Sequence, residues 1–85
     1  MSADPLLIIE DEALFREELA RHFRREGWEV ALAADLAAAQ AILGSGSLEP
    51  LVVLSDLSLP DGSGLDFLEA RRRDGDTAEW VFLTG

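Results

Sequence analysis

Residues 51–64 read LVVLSDLSLPDGSG, a run of apolar and β-branched side chains that is followed by a carboxylate and then by a turn. An apolar run this short, bounded by turn residues, predicts a strand that is buried on both faces of a sheet. The turn directly after it is predicted by Pro60, Asp61, Gly62 and Gly64. Asp56 is therefore expected at the carboxyl end of a central strand, which is the edge where open α/β sheets bind ligands.

Polar groups also follow two other apolar runs. Taken alone, an Asp after a strand more commonly begins a turn than forms a site. However, the run at residues 6–9 ends in three carboxylates at residues 10–12, and the run at residues 80–83 ends in the hydroxyl of Thr84. If these strands are neighbours of the central one in a parallel sheet, the polar groups converge at one edge. Carboxylates packed so closely suit a hard divalent cation such as Mg²⁺, although the acidic triplet alone is equally typical of an exposed helix-capping loop.

The rest of the chain alternates between strand and helix patterns. Helices are predicted over residues 13–26, 35–43 and 64–73, and a further strand over residues 28–33. The order β-α-β-α-β-α-β predicts a parallel sheet with right-handed crossovers and helices on both faces. The first helix is expected to face the sheet with Phe15, Leu19 and Phe23. The third is expected to face it with Leu65 and Leu68, and with Phe67 at the edge of that face.

Length, composition and charge narrow the kind of protein. Eighty-five residues allow one domain, and the absence of cysteine excludes disulfides and thiolate metal sites. The formal net charge is −10 and the seven basic residues are all Arg on helical segments, so we expect no direct binding of this segment to nucleic acid. No long apolar run or secretory leader pattern is visible, which favours a cytoplasmic protein with no membrane span.

Four stretches of the chain, taken together, match one known pattern in order and in spacing. They are LIIEDE at residues 7–12, PLVVLSD at 50–56, LPDGSGL at 59–65 and VFLTG at 81–85, with Arg16, Leu19 and Gly27 between them. In these features the sequence resembles the receiver domain of bacterial two-component response regulators. The resemblance implies a flavodoxin-like doubly wound sheet. It also implies a single receiver-like domain over residues 1–85 that stops before the family's usual last strand and last two helices.

The resemblance assigns a role to each candidate residue by its position. Asp56 corresponds to the phosphoacceptor, which takes a phosphoryl group from a sensor histidine kinase or a phosphotransfer protein. Glu10 and Asp11 correspond to the acidic pair of the Mg²⁺ site, with Glu in a place where the family more often has Asp. Asp56 and the backbone carbonyl of Ser58 would be further ligands. Thr84 corresponds to the switch hydroxyl that bonds the phosphoryl group.

Two other functions compete with this phosphoacceptor role, in which the chain phosphorylates only itself and is not a turnover enzyme. Phosphatases that form an aspartyl phosphate usually carry a second Asp two residues after the nucleophile, and Ser58 in that place argues against them. The second is a receiver remnant that acts as a dimerisation module independently of phosphorylation. Self-association through an exposed fourth strand at residues 80–83 is expected if the chain ends before the strand that carries the family's Lys.

Overall fold

Strands and helices alternate along the chain in the predicted order. The computed structural model describes residues 3–46 and 48–83. Within those ranges, no helix combines the length and the apolar character that a membrane span requires. The elements are β1 Pro5–Ile9, α1 Ala13–Arg25, β2 Glu29–Ala33, α2 Leu36–Gly44, β3 Val52–Asp56, β4 Ser58–Leu59, β5 Gly62–Ser63, α3 Gly64–Arg73 and β6 Glu79–Leu83.

The main sheet of the described ranges has four parallel strands in the order β2-β1-β3-β6. β1 is central, because Ile9 lies opposite Ala33 of β2 on one side and opposite Ser55 of β3 on the other. β3 in turn pairs with β6, where Asp56 lies opposite Leu83. The first, third and last strands are therefore neighbours, as convergence of their polar ends requires.

Alternate side chains of β1 enter two separate cores. Leu6 and Ile8 face the side covered by α1, and Leu7 and Ile9 face the side covered by α2 and α3. All four side chains are at most 1% exposed. This two-sided burial explains why the strand is a continuous apolar run and not an alternating one, and it confirms the predicted layer of helices on each face.

The predicted inward faces of the helices are only partly correct. In α1, Leu19 and Phe23 pack against the sheet, whereas Phe15 is 42% exposed. In α3 the prediction for Leu65 is wrong, because that side chain is 47% exposed and Phe67 packs against the core.

The orientation of α3 follows from its first residue. Gly64 is buried, and its N–H donates to the carbonyl of Leu57 over 2.9 Å. Residues three apart share a helix face, so Phe67 lies on the same side as Gly64. There its ring meets the Trp80 ring edge to face, with 5.9 Å between the ring centroids. A glycine carries no hydrophobic signal, which is why the sequence pattern alone turned the inward face of α3 too far toward Leu65.

The turn predicted after Asp56 is a short hairpin. Ser58 pairs with Ser63 and Leu59 with Gly62 in antiparallel fashion. Leu59 is 8% exposed and belongs to the same core cluster as Ala39 of α2. The hairpin is therefore packed on the body of the domain and leads directly into α3.

Candidate functional site

Three carboxylates meet at the carboxyl edge of the sheet. Glu10 and Asp11 follow β1, and Asp56 ends β3. One oxygen atom from each lies within 4.8 Å of the others. Glu10 is only 4% exposed, Asp56 is half-buried and Asp11 is exposed. Neighbouring parallel strands thus bring together the acidic groups that the sequence singled out.

The ionisation of Glu10 is perturbed by its surroundings. Its burial raises its pKa above the ordinary value of 4.5, because water no longer stabilises the charged form. A hydrogen bond from the Glu12 N–H to Glu10 Oε2, 2.9 Å long, acts in the opposite direction. Contact with the Asp11 side chain and the charges of Asp56 and Asp11 then raise the pKa further. Burial and the neighbouring negative charges therefore both disfavour the ionised form of Glu10.

The start of α1 fixes the loop that carries this acidic pair. Glu12 is the N-cap, and its side chain accepts hydrogen bonds from the N–H groups of Leu14 and Phe15. Arg16, one turn into the helix, donates from Nη1 to the carbonyl of Glu10 over 2.9 Å. Sequence reasoning gave Arg16 no role in the site. A basic residue one helical turn after an acidic loop is the signal that points to such a contact.

The backbone on both sides of Asp56 is also tied down. The Ser55 hydroxyl, which is fully buried, donates to the carbonyl of Asp56 over 2.8 Å. The Ser58 N–H points to Asp56 Oδ1 at 3.4 Å. With the bond from Gly64 to Leu57, these contacts hold the strand end and orient the carboxylate. The contribution of Ser55 was not predicted, although a hydroxyl at the end of an apolar run is a recognisable signal.

The remaining two predicted site residues are placed less completely. Ser58 begins β4 and contacts the Asp56 side chain through its N–H; the ligand role of its carbonyl stays a prediction. Thr84 lies outside the described residues. Leu83, which precedes it, is opposite Asp56 in the pairing of β3 with β6.

The donor set is compatible with a divalent cation of the Mg²⁺ class. Carboxylate oxygens are the hard ligands that such cations take. Their separations of at most 4.8 Å and the raised pKa of buried Glu10 describe a cluster whose mutual repulsion a cation would relieve. The residues present therefore fit the Mg²⁺ site that the resemblance implies.

Comparison with known proteins places this geometry in a family. The model of the response regulator receiver domain matches residues 6–85. The photosynthetic apparatus regulatory protein RegA of Rhodovulum sulfidophilum is 39% identical over 83 residues, which cover 96% of this chain and 44% of that protein. The acid tolerance regulatory protein ActR of Rhizobium meliloti is 38% identical over 80 residues, covering 94% and 40%. The chain thus spans less than half the length of these curated relatives.

Solved structures give the same result for the fold. The receiver domain of the hybrid histidine kinase CckA is 32% identical with a TM-score of 0.83, over 92% of this chain and 72% of that one. The MaeR response regulator bound to beryllium trifluoride is 27% identical with a TM-score of 0.85, over 96% and 67%. The expected flavodoxin-like sheet is therefore confirmed. The chain belongs to the response regulator receiver domain family, whose function is to accept a phosphoryl group in two-component signalling.

Proposed function

We propose that Asp56 is the phosphoacceptor of this receiver domain. The observation that carries the proposal is the meeting of Asp56 with Glu10 and Asp11 at one sheet edge. Asp56 also ends β3, an inner strand of the sheet, where its backbone is fixed by Ser55 and its carboxylate by the N–H of Ser58. A half-buried carboxylate held in one orientation is suited to in-line attack on phosphorus.

The reaction transfers the phosphoryl group from nitrogen to oxygen. An oxygen of the Asp56 carboxylate attacks the phosphorus of a phosphohistidine, so that the O–P bond forms while the P–N bond breaks. The imidazole leaves with the bonding electron pair, and the product is an acyl phosphate on Asp56. Thr84, by the resemblance, then bonds the phosphoryl oxygens and reports the new state.

The acidic neighbours of Asp56 have a supporting role in this proposal. Glu10 and Asp11 would hold Mg²⁺ together with Asp56 and the carbonyl of Ser58. When bound, the cation supplies positive charge that offsets repulsion between the carboxylate and the incoming phosphoryl oxygens. Arg16 keeps the acidic loop in place through the carbonyl of Glu10.

The proposal also defines the partners. The donor is a sensor histidine kinase or a phosphotransfer protein, met in the cytoplasm, and the chain modifies itself without turning over an outside substrate. The net charge of −10 argues against direct binding of nucleic acid by this segment. Self-association is the competing proposal. It is supported by β6, which in the described ranges pairs only with β3 and which leaves Val81 47% exposed.

The test is phosphorylation of the purified chain by a small acyl-phosphate donor, read by intact mass. With Mg²⁺ present we expect one added phosphoryl group per chain, and with EDTA we expect little or none. Circular dichroism and the sedimentation coefficient, recorded on the same samples, establish that the chain is folded and give its oligomeric state. A folded chain that takes up no phosphoryl group would contradict the proposal, and a dimer unaffected by donor and Mg²⁺ would then favour the pairing function.

Replacing Glu10 with Gln is expected to change how stability depends on pH and on Mg²⁺. Because the pKa of Glu10 is raised on folding, the folded chain keeps a proton that the unfolded chain has released above about 4.5. In EDTA the free energy of unfolding of the wild type therefore falls as the pH rises through this window, and the deficit is complete above the folded pKa. The Gln variant lacks this loss, so it is the more stable of the two near neutral pH.

The same substitution removes a proposed ligand, so the stabilisation by added Mg²⁺ should be much smaller in the variant. Urea unfolding at about pH 5 and about pH 7.5, with EDTA or with Mg²⁺, measures both effects. Glu18→Gln on the exposed side of α1 is the matched control and should behave as the wild type. Equal pH and Mg²⁺ responses in wild type and Glu10→Gln would contradict the assignment of Glu10.

A further inference from the structure

The carboxylate of Asp61 joins the hairpin after Asp56 to the start of α2. Its Oδ1 accepts from the N–H of Leu36 at 2.9 Å, and its Oδ2 accepts from the N–H of Ala37 at 3.0 Å. The N–H of Ala38, which comes next in the helix, donates to Oδ1 of the N-cap residue Asp35 at 2.8 Å. Two aspartates therefore accept hydrogen bonds from the first N–H groups of α2. Asp35 does so from the N-cap position, and Asp61 does so from a loop that is distant in the sequence.

This contact is charged and is reinforced by packing. The hydrogen bond from Leu36, with a further contribution from Ala37, lowers the pKa of Asp61, so its carboxylate remains ionised near neutral pH. Gly62 lies directly against the same helix, since a Cβ at that position would be 3.0 Å from Leu36 Cδ1. Leu59 anchors the other hairpin strand in the core that contains Ala39.

The opposite end of the hairpin is part of the phosphoacceptor site. Its first residue, Ser58, donates its N–H toward Asp56 Oδ1 at 3.4 Å. At this same end, the base of the segment, the N–H of Gly64 donates to the carbonyl of Leu57. The short segment from Leu57 to Gly64 is therefore held at its base by the strand end and at its tip by α2.

We propose that Asp61 is a positioning residue, which holds the hairpin against α2 and thereby fixes Ser58 beside the Asp56 carboxylate. The inference rests on the proposed function of Asp56, because Ser58 matters chemically only as part of that site. It adds a residue that neither touches the phosphoryl group nor binds the cation. Without the Asp61 hydrogen bonds, the tip would be held only by the packing of Leu59 and Gly62, and the cation site would lose the fixed place of one of its ligands.

The test compares Asp61→Ala with Asp35→Ala. Both substitutions remove a carboxylate that accepts hydrogen bonds from N–H groups at the start of α2, so both are expected to lower the thermal stability of the domain. Only Asp61→Ala also removes the hydrogen bonds between the hairpin and α2. In metal-free buffer we therefore expect faster amide hydrogen exchange across residues 57–64 in Asp61→Ala and unchanged exchange there in Asp35→Ala. Titration with Mg²⁺ alone should show a several-fold weaker affinity for Asp61→Ala and wild-type affinity for Asp35→Ala.

Asp61→Asn keeps the size of the side chain and removes its negative charge, so it tests whether the charge and both acceptor oxygens are needed. The amide offers one acceptor oxygen in place of two, so intermediate exchange and intermediate Mg²⁺ affinity are expected. Equal effects of Asp61→Ala and Asp35→Ala on Mg²⁺ affinity would overturn the inference, as would unchanged exchange of the hairpin in Asp61→Ala. A wild-type chain that binds Mg²⁺ and takes up no phosphoryl group would sink the proposed function, while the exchange and affinity comparisons would still decide whether Asp61 positions the hairpin.

Discussion

Replacing Asp56 with Asn is expected to abolish phosphoryl uptake from an acyl-phosphate donor in the presence of Mg²⁺. The amide lacks the anionic oxygen that forms the bond to phosphorus. It keeps the size of the side chain and an oxygen that can accept the N–H of Ser58, so the loop geometry is retained. Intact mass spectrometry should show the added phosphoryl group in the wild type and none in the variant, which is the largest effect that a single substitution can have here.

Loss of uptake in this variant is not expected to come from unfolding. The charge of Asp56 is one of the causes that raise the pKa of Glu10, so removing it relieves repulsion in the cluster. The variant should be at least as stable as the wild type in EDTA, which urea unfolding can measure. Asp66→Asn, which replaces an exposed carboxylate in the first turn of α3, is the matched control and should take up the phosphoryl group normally. An adduct that persists on Asp56→Asn would identify a different acceptor and contradict the assignment.

Replacing Gly64 with Ala is expected to destabilise the domain and disturb the site together. A Cβ on Gly64 would collide with the carbonyl oxygen of Asp56, lie 3.0 Å from Ser55 Oγ and lie 3.2 Å from the Phe82 ring. The first of these atoms is backbone and cannot turn away, so either β3 or α3 must shift. Overpacking of this kind costs about 1–3 kcal/mol, and the backbone obstacle favours the upper part of that range. A domain with a total stability of about 5–15 kcal/mol would show this clearly in urea unfolding.

Gly44→Ala is the matched control for that substitution. Gly44 also lies at the end of a helix, but a Cβ there would meet only Gln40 Nε2 at an ordinary 3.6 Å. Ala has a higher helix propensity than Gly, so this change should be neutral or stabilise by up to about 1 kcal/mol. Phosphoryl uptake should fall in Gly64→Ala and stay at the wild-type level in Gly44→Ala. Equal stability of the two variants would show that the close approach of α3 to the strand end is not required.

The sheet and the meeting of its acidic groups were predictable because they follow from strong local patterns. The apolar runs that became β1 and β3 are buried on both faces. The first is followed directly by carboxylates, and the second by Ser55 and then Asp56. In a parallel sheet this order is enough to bring Glu10, Asp11 and Asp56 to one edge. The roles of these residues, and that of Thr84, came from the resemblance and stay predictions until phosphorylation is measured.

The features that were missed depend on contacts between distant residues. Which face of α3 lies against the sheet is set by the close approach of Gly64 to β3. Because glycine has no side chain, a hydrophobic pattern does not reveal this contact. Asp61 was recognised only as a turn residue, because nothing near it in the sequence shows that its carboxylate reaches Leu36 and Ala37. Local patterns therefore predicted the elements, whereas the details that shape the loop after Asp56 required the assembled structure.

The position of β1 between β2 and β3 has a consequence for the order in which the protein acquires activity. The pairing of β1 with β2 spans a shorter stretch of chain than the pairing of β1 with β3, and the segment from β1 to β2 already contains Glu10 and Asp11. Asp56 joins them only when β3 pairs with β1, and this long-range pairing must first overcome the entropy of closing the intervening chain. A molecule in which β3 has not yet paired with β1 therefore lacks the assembled acidic cluster. Under the proposed function, a phosphorylated chain is therefore one in which β3 has already paired with β1.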